Sequence, residues 1–336
     1  MSAAALDNAT TARIARLLGT EIAAAASLGG DHGVRHYRLT LTGGRLAFAK
    51  IHNQPHDGNV AALATPARGV AAAGATAETA SEHTTTPAHT AVPANDPHGF
   101  AAEAASLRWL AEATAVPVPA VLAADESCLV IEWLDASSPT PSAAARFGRD
   151  LADLHRSGSE RFGAPWPGVI AGLPLPNEAS DSWPEWYPAN RLLPYVRIAR
   201  DAGTLSGADA RLVESAAERS PELAGPAEPP SRIHGDLWSG NVIWSGAPRS
   251  GDLSAWLIDP AAHGGHRETD LAMLALFGAP SLDRIMSAYQ ERMPLADGWR
   301  SRVPLHQLHP LLVHVCLFGA SYRESALGAA RAVLAA

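Results

Sequence analysis

The chain has 336 residues, 47% of them hydrophobic and 18% charged, enough for a two-lobed globular enzyme with a sizeable core. Its net charge is −8 without any run of Lys or Arg, which argues against nucleic acid or an anionic membrane as a partner. No stretch of 18 apolar residues occurs, and the two cysteines, Cys128 and Cys316, sit in apolar segments as small buried hydrophobes; a reducing, cytoplasmic setting and a monomeric protein are expected.

The first element is a helix: Ile14, Leu17, Leu18 and Ile22 share one face behind the capping candidates Asp7 and Asn8, and Arg13, Arg16 and Glu21 break any secretory signal. Leu28-Gly29-Gly30-Asp31-His32-Gly33 reads as a glycine-rich turn ahead of a strand, Tyr37–Leu41, and a second strand, Arg45–Ile51, that ends near Lys50. A glycine loop followed by two strands and a lysine suits a flap over phosphates, with Gly29 and Gly30 in the flap and Lys50 reaching the α- and β-phosphates. Residues 55–98 are rich in Ala, Thr, Pro, His and Gly and have no aromatic residue or apolar period. They read as a disordered insertion, and His56, His83, His89 and His98 lack a tight metal-ligand spacing.

Helical spacing returns from Phe100, with Glu103 one turn in, where it is the expected partner of Lys50. Pro117 and Pro119 lead to the apolar strand Cys128–Leu134, the expected last strand of the small lobe; backbone groups of Glu132, Trp133 and Leu134 would meet an adenine edge. A helix over 142–156, a Trp/Pro/Gly-rich loop over 162–190, a helical stretch from Asn190 to about Glu218 and a polar linker over 220–231 follow. The boundary between lobes is placed at 134, giving a nucleotide-binding lobe over 1–134 and a catalytic and substrate-binding lobe over 135–336.

The most informative run is His234-Gly235-Asp236-Leu237-Trp238-Ser239-Gly240-Asn241, with Asp259 in Leu257-Ile258-Asp259-Pro260 downstream. Phosphoryl transfer needs a carboxylate to orient the attacking hydroxyl and oxygen ligands to hold magnesium against the phosphates. Asp236 fills the first role, and Asn241 and Asp259 the second, in the spacing of the kinase catalytic loop. Strands Asn241–Trp244 and Ala255–Ile258, joined by a Gly/Pro/Ser-rich turn, would bring Asn241 and Asp259 to one mouth. His234 reads as a packed histidine bracing the loop. Trp238 is either a core aromatic or a platform for the acceptor.

The run Ile233–Val242, together with Ile258-Asp-Pro and Arg267-Glu268-x-Asp270-Leu-Ala-Met273 to Gly278, resembles the fructosamine kinase (ketosamine-3-kinase) family, a branch of the aminoglycoside phosphotransferase-like kinases. The resemblance covers almost the whole chain except residues 55–98. It implies an α+β, bilobal protein-kinase-like fold, with a small β-rich N-lobe carrying one helix and a larger, mainly helical C-lobe. It also implies ATP and Mg²⁺ as cofactors and a small-molecule or protein-bound ketosamine as the substrate. The family phosphorylates the 3-hydroxyl of ketoamines formed by glycation, and the instability of the product serves protein repair. By the same resemblance His266, Arg267 and Glu268 are substrate candidates beside Trp238. The chain departs from the family pattern at His266, where Asp is usual, and at Asp31, where many members carry Cys. An aminoglycoside or amino-alcohol phosphotransferase of the same fold is the alternative, followed by a non-catalytic nucleotide-binding scaffold.

Overall fold

Asp7 accepts a hydrogen bond from the Thr10 N–H at 2.8 Å and caps α1 (Asn8–Leu18), which Gly19 closes in the left-handed conformation, φ 65°. The structure is a computed structural model and describes residues 6–31, 33–52, 98–247 and 251–336. The insertion expected over 55–98 therefore lies outside the described residues except for its last residue, His98, which opens a helix. The apolar face of α1 stops at Leu18; Ile22 instead begins β1 (Ile22–Asp31), which runs antiparallel to β2 (Val34–Leu41), itself paired with β3 (Leu46–His52).

Within the glycine segment expected as a turn, Leu28–Asp31 are thus the end of a strand, and the chain reverses between Asp31 and Val34. Gly29 pairs with His36 and Gly30 with Arg35, after a register shift between Ser27 and Gly29. A Cβ at Gly30 would stand 2.1 Å from the Val34 carbonyl oxygen, so the close approach of the two strands requires glycine there.

Helix α2 (His98–Glu112), β4 (Val121–Asp125) and β5 (Cys128–Glu132) complete the lobe, whose five strands take the order β1-β2-β3-β5-β4. The strand period of two decides what each face meets. On β3, Ala47, Ala49 and Ile51 join Ile14, Tyr37, Leu39 and Leu41 on the α1 side. Phe48 and Lys50 point the other way, where Phe100, Ala104 and Leu107 of α2 pack on Leu129 and Ile131. That alternation aims Lys50 at α2.

The strand ends at Glu132 and α3 (Pro141–Arg156) follows, so residue 134 lies in the connection between them. The region read as loop over 162–190 holds a short hairpin, β6 (Gly168–Ile170) and β7 (Leu173–Leu175), and α4 (Trp183–Tyr187). A π-helical turn over 188–192 leads to α5 (Leu193–Asp201), α6 (Gly207–Glu218) and the single turn α7 (Ser220–Leu223). Strand β8 (Ser231–Ile233), the hairpin β9 (Val242–Gly246) and β10 (Leu253–Leu257), and β11 (His263–Gly265) carry the catalytic motifs. Helices α8 (Glu268–Leu276), α9 (Leu282–Arg292), α10 (Trp299–Phe318) and α11 (Ala320–Ala335) end the chain. One core fills the space among α4, α5, α6, α10 and α11, and another joins α3 and α9 to β9, β10 and α8. Among the described residues no helix is long and apolar enough to cross a membrane.

Candidate active site

Strand β8 pairs with β11, Ile233 opposite His263, and the chain leaves β8 into the catalytic loop. The next two backbone N–H groups, of His234 and Gly235, donate to the two carboxylate oxygens of Asp270 at 2.7 and 2.9 Å. Gly235 has φ 82°, and a Cβ there would stand 2.2 Å from the Ala261 carbonyl oxygen. His234 is fully buried and uses both ring nitrogens on backbone: Nδ1 accepts from the Asp236 N–H at 3.2 Å, which leaves Nε2 to donate to the Ile258 carbonyl at 2.9 Å. Burial lowers its pKa, so the neutral imidazole pins the loop to the strand that precedes Asp259.

Asp236 sits beyond this clamp. Burial pushes its carboxyl up to about 7; Asn241 pulls it back through a hydrogen bond, while Asp259 and Asp270 add repulsion. The Asn241 side-chain amide donates to the Asp236 carbonyl at 2.8 Å and to its Oδ2 at 3.0 Å. A carboxyl that changes charge near neutral pH, held from two sides, suits a general base.

The expected β9–β10 hairpin is present, with Val242 opposite Leu257, and Ile258 N–H extends it by donating to the Asn241 carbonyl at 3.1 Å. Asn241 and Asp259 therefore emerge side by side. Asp259 adopts the left-handed conformation, φ 54°, which aims its carboxylate at Lys50; for a non-glycine residue this costs on the order of 1 kcal/mol. Lys50 Nζ lies 2.7 Å from Asp259 Oδ1 and 2.9 Å from each oxygen of Glu103. Burial works against charge on all three groups. Asp259 and Glu103 together nevertheless hold Lys50 as an ammonium, and Lys50 in turn holds Asp259 below the usual carboxylate range. Glu103 is raised, because burial and Asp259 outweigh the pull of Lys50. The mouth fits a hard divalent cation. With the Asn241 amide nitrogen turned to Asp236, its Oδ1 and the Asp259 carboxylate could supply the oxygen ligands that magnesium prefers.

Residues 89–336 match the family model for fructosamine kinase. The chain belongs to the fructosamine kinase family. A probable ketoamine kinase of Synechocystis is 34% identical over 237 residues, covering 68% of this chain and 76% of that protein. A probable ketoamine kinase of Escherichia coli K12 is 33% identical over 229 residues, covering 67% and 77%. The crystal structure of a protein from Thermobifida fusca YX-ER1, provisionally assigned as a fructosamine-3-kinase, has a TM-score of 0.81 at 46% identity and covers 98% of this chain and 100% of that one. An ADP-bound aminoglycoside phosphotransferase, 13% identical with a TM-score of 0.58, shares the protein-kinase-like fold.

Within this fructosamine kinase fold the remaining candidates fall in two places. Glu132 is exposed and tied to the neighbouring chain: its N–H donates to the Ala120 carbonyl at 2.9 Å, and its carboxylate accepts from the Ala120 N–H at 3.3 Å. Trp133 and Leu134 are half-buried, and the Trp133 indole N–H donates to Asp135 at 2.9 Å. Trp238, also half-buried, folds its indole over Gly240, where a Cβ would stand 2.1 Å from the ring.

His266, Arg267 and Glu268 are not at the mouth but inside the large lobe, each no more than 5% exposed. Arg267 makes a two-pronged pair with Glu228 at 2.7 and 2.6 Å, and Glu268 makes one with Arg302 at 2.9 and 2.6 Å. His266 packs on the rings of Trp183 and His306 at 4.9 and 5.0 Å. The three expected substrate candidates are thus engaged with the protein itself: Arg267 and Glu268 spend their charges on fastening the linker before β8, α8 and α10 to one another, and burial keeps His266 uncharged among the rings. His266, Glu268 and His306 are close enough to share a cation, yet the Arg302 guanidinium already supplies the positive charge.

Two residues to which the sequence assigns no role, Asp270 of the quoted motif and His155, brace the loop. Asp270, fully buried, accepts from the catalytic loop and also lies 3.2 Å from His155 Nε2; His155 Nδ1 is in turn 2.8 Å from the Tyr289 hydroxyl. The signal available for Asp270 is an acidic residue directly before the apolar run Leu271–Leu276, within the motif Arg267-Glu268-x-Asp270-Leu-Ala-Met273. His155 carries no comparable local mark.

Proposed function

We propose that this protein is an ATP-dependent ketosamine kinase that phosphorylates the 3-hydroxyl of fructosamine or ribulosamine adducts in the cytoplasm. The observation that carries the reading is the meeting of Asp236 with the Lys50–Glu103–Asp259 cluster at one mouth, in a chain whose relatives are named ketoamine kinases.

Asp236 orients the sugar hydroxyl and takes its proton as the new O–P bond forms and the bond from the γ-phosphorus to the ADP oxygen breaks. Its elevated pKa makes it a competent acceptor near neutral pH. Lys50, steadied by Glu103, holds the nucleotide phosphates under the β1–β2 hairpin that contains Gly29 and Gly30. The backbone of residues 132–134 faces the adenine. Asn241 and Asp259 would hold Mg²⁺, which when bound neutralises charge on the phosphate oxygens. Trp238 offers a flat apolar face to the C–H face of the sugar.

An ATP-consumption assay with fructoselysine, ribuloselysine and an aminoglycoside panel tests this. Turnover confined to the ketosamines is expected. Turnover confined to the aminoglycosides would replace the reading with the antibiotic-phosphotransferase one, and no turnover of any acceptor would remove both.

A further inference from the structure

An aromatic wall leads away from the mouth, beginning at Trp238. The Trp238 and Phe277 rings meet edge-on at 6.4 Å, and Phe277 lies 5.1 Å from His314. His314 is 5.5 Å from Phe318 and 4.6 Å from Tyr322, which are 5.8 Å from each other. The rings come from the loop after β8, the residue that follows α8, the last turns of α10 and the start of α11, so the wall is made by tertiary packing and by no single motif. Phe277 and Phe318 remain 40% and 38% exposed, which places them among the four large hydrophobic side chains most open to solvent in the described residues. Trp238, His314 and Tyr322 are half-buried, so the wall is a contiguous set of rings open to solvent in part; apolar area left in water opposes stability, which makes such a set a ligand surface more readily than a folding element.

His314 gives the wall its polarity. Its Nδ1 lies 2.7 Å from the Pro310 carbonyl, so Nδ1 carries the proton and Nε2 is an acceptor. Burial lowers the imidazole pKa, which keeps the ring uncharged. The wall therefore presents π-faces and one neutral nitrogen acceptor, and no cation belongs to it. This chemistry matches a protonated amine carrying a carbon substituent: the ring faces attract the cation, and the rings pack on the carbon. It does not match the hydroxyl-rich end of a sugar.

In a ketosamine the amine is on C1, two carbons from the 3-hydroxyl. With that hydroxyl at Asp236 and the sugar on Trp238, the C1 end can continue along the wall. Resting on the ketosamine kinase reading above, we infer that Trp238, Phe277, His314, Phe318 and Tyr322 form an amine-side subsite. The subsite selects ketosamines whose amine bears an apolar or aromatic substituent.

The test is a kinetic series of fructosamines made from methylamine, butylamine and benzylamine, with a 1-deoxyketose lacking the amine as control. In the wild type, KM falls from methyl to benzyl by roughly three- to tenfold. In Phe318→Ala and Phe277→Ala that gap closes, while KM for ATP holds. Phe318→Leu keeps apolar bulk without a π-face and retains only part of the gap. His314→Lys places a cation on the wall and raises KM for every amine-bearing substrate but not for the amine-free ketose. A wild type that does not discriminate within the series, or alanine variants that keep the full gap, overturn the subsite. Failure to phosphorylate any ketosamine is a different result: it removes the functional reading itself, and this inference with it.

Discussion

Replacing Asp236 with Asn should abolish turnover and at the same time make the resting protein more stable. The carboxyl is raised from 3.8 to about 7 by burial and by the neighbouring carboxylates, so the folded state disfavours its ionised form. The unfolded chain releases this proton at lower pH. Between these two values the unfolded state binds fewer protons, and stability falls as pH rises through that window. Above about pH 7 the whole penalty is present. Three pKa steps at about 1.4 kcal/mol each give a ceiling of about 4 kcal/mol, and solvent reaching the half-buried side chain reduces the expected value to about 1–3 kcal/mol. Asn keeps an oxygen for the 3.0 Å hydrogen bond from Asn241 and carries no charge. For a lobe of this size the gain should read as a rise of several degrees in Tm at pH 8. It should shrink steadily toward pH 5, where the wild-type group is protonated too. Thermal melts without nucleotide or magnesium, across pH 5–8, measure this directly. Turnover should fall by about 10²–10⁴-fold in the same variant. A Tm offset that is absent or independent of pH would refute the desolvation argument, and retention of more than half the activity would refute the catalytic role.

Other outcomes follow from the same geometry. Asn241→Ala and Asp259→Ala should each require more magnesium for half-maximal rate, and titration curves that overlay the wild type would exclude these residues as ligands. Trp238→Ala should raise KM for a ketosamine several-fold with little change in KM for ATP. Gly240→Ala should do the same, because its Cβ would stand 2.1 Å from the indole and displace it; an unchanged ketosamine KM in both variants would place Trp238 in the core. Asp270→Ala strands the backbone N–H groups of His234 and Gly235, at about 1–3 kcal/mol for each unsatisfied donor, and should lower the urea midpoint and turnover together. An active Asp270→Ala enzyme of normal stability would show that the catalytic loop holds itself.

What was legible in the sequence was local. Asp236, Asn241 and Asp259 stand at a spacing that a short hairpin converts into proximity, and the two strands expected to form it do pair, Val242 opposite Leu257. Lys50 and Glu103 were placed by strand and helix periodicity, and alternation along β3 is what turns the lysine toward α2. Glycine marks turns and close approaches equally, so the sequence does not separate the strand end at Gly29 and Gly30 from the reversal that follows; the pairing of Gly30 with Arg35 does. The three-residue strands β6 and β7 are too short to carry a period. The roles of Asp270 and His155 are beyond local reading because their partners lie 36 and 134 residues away in the chain and meet only when α3, α8 and α9 pack. The same holds for Arg267 and Glu268, whose charges look available in sequence and are taken by Glu228 and Arg302 in the fold. A side chain's chemical type is written in the sequence, but whether its charge is spent internally or offered to a ligand depends on which distant group arrives beside it.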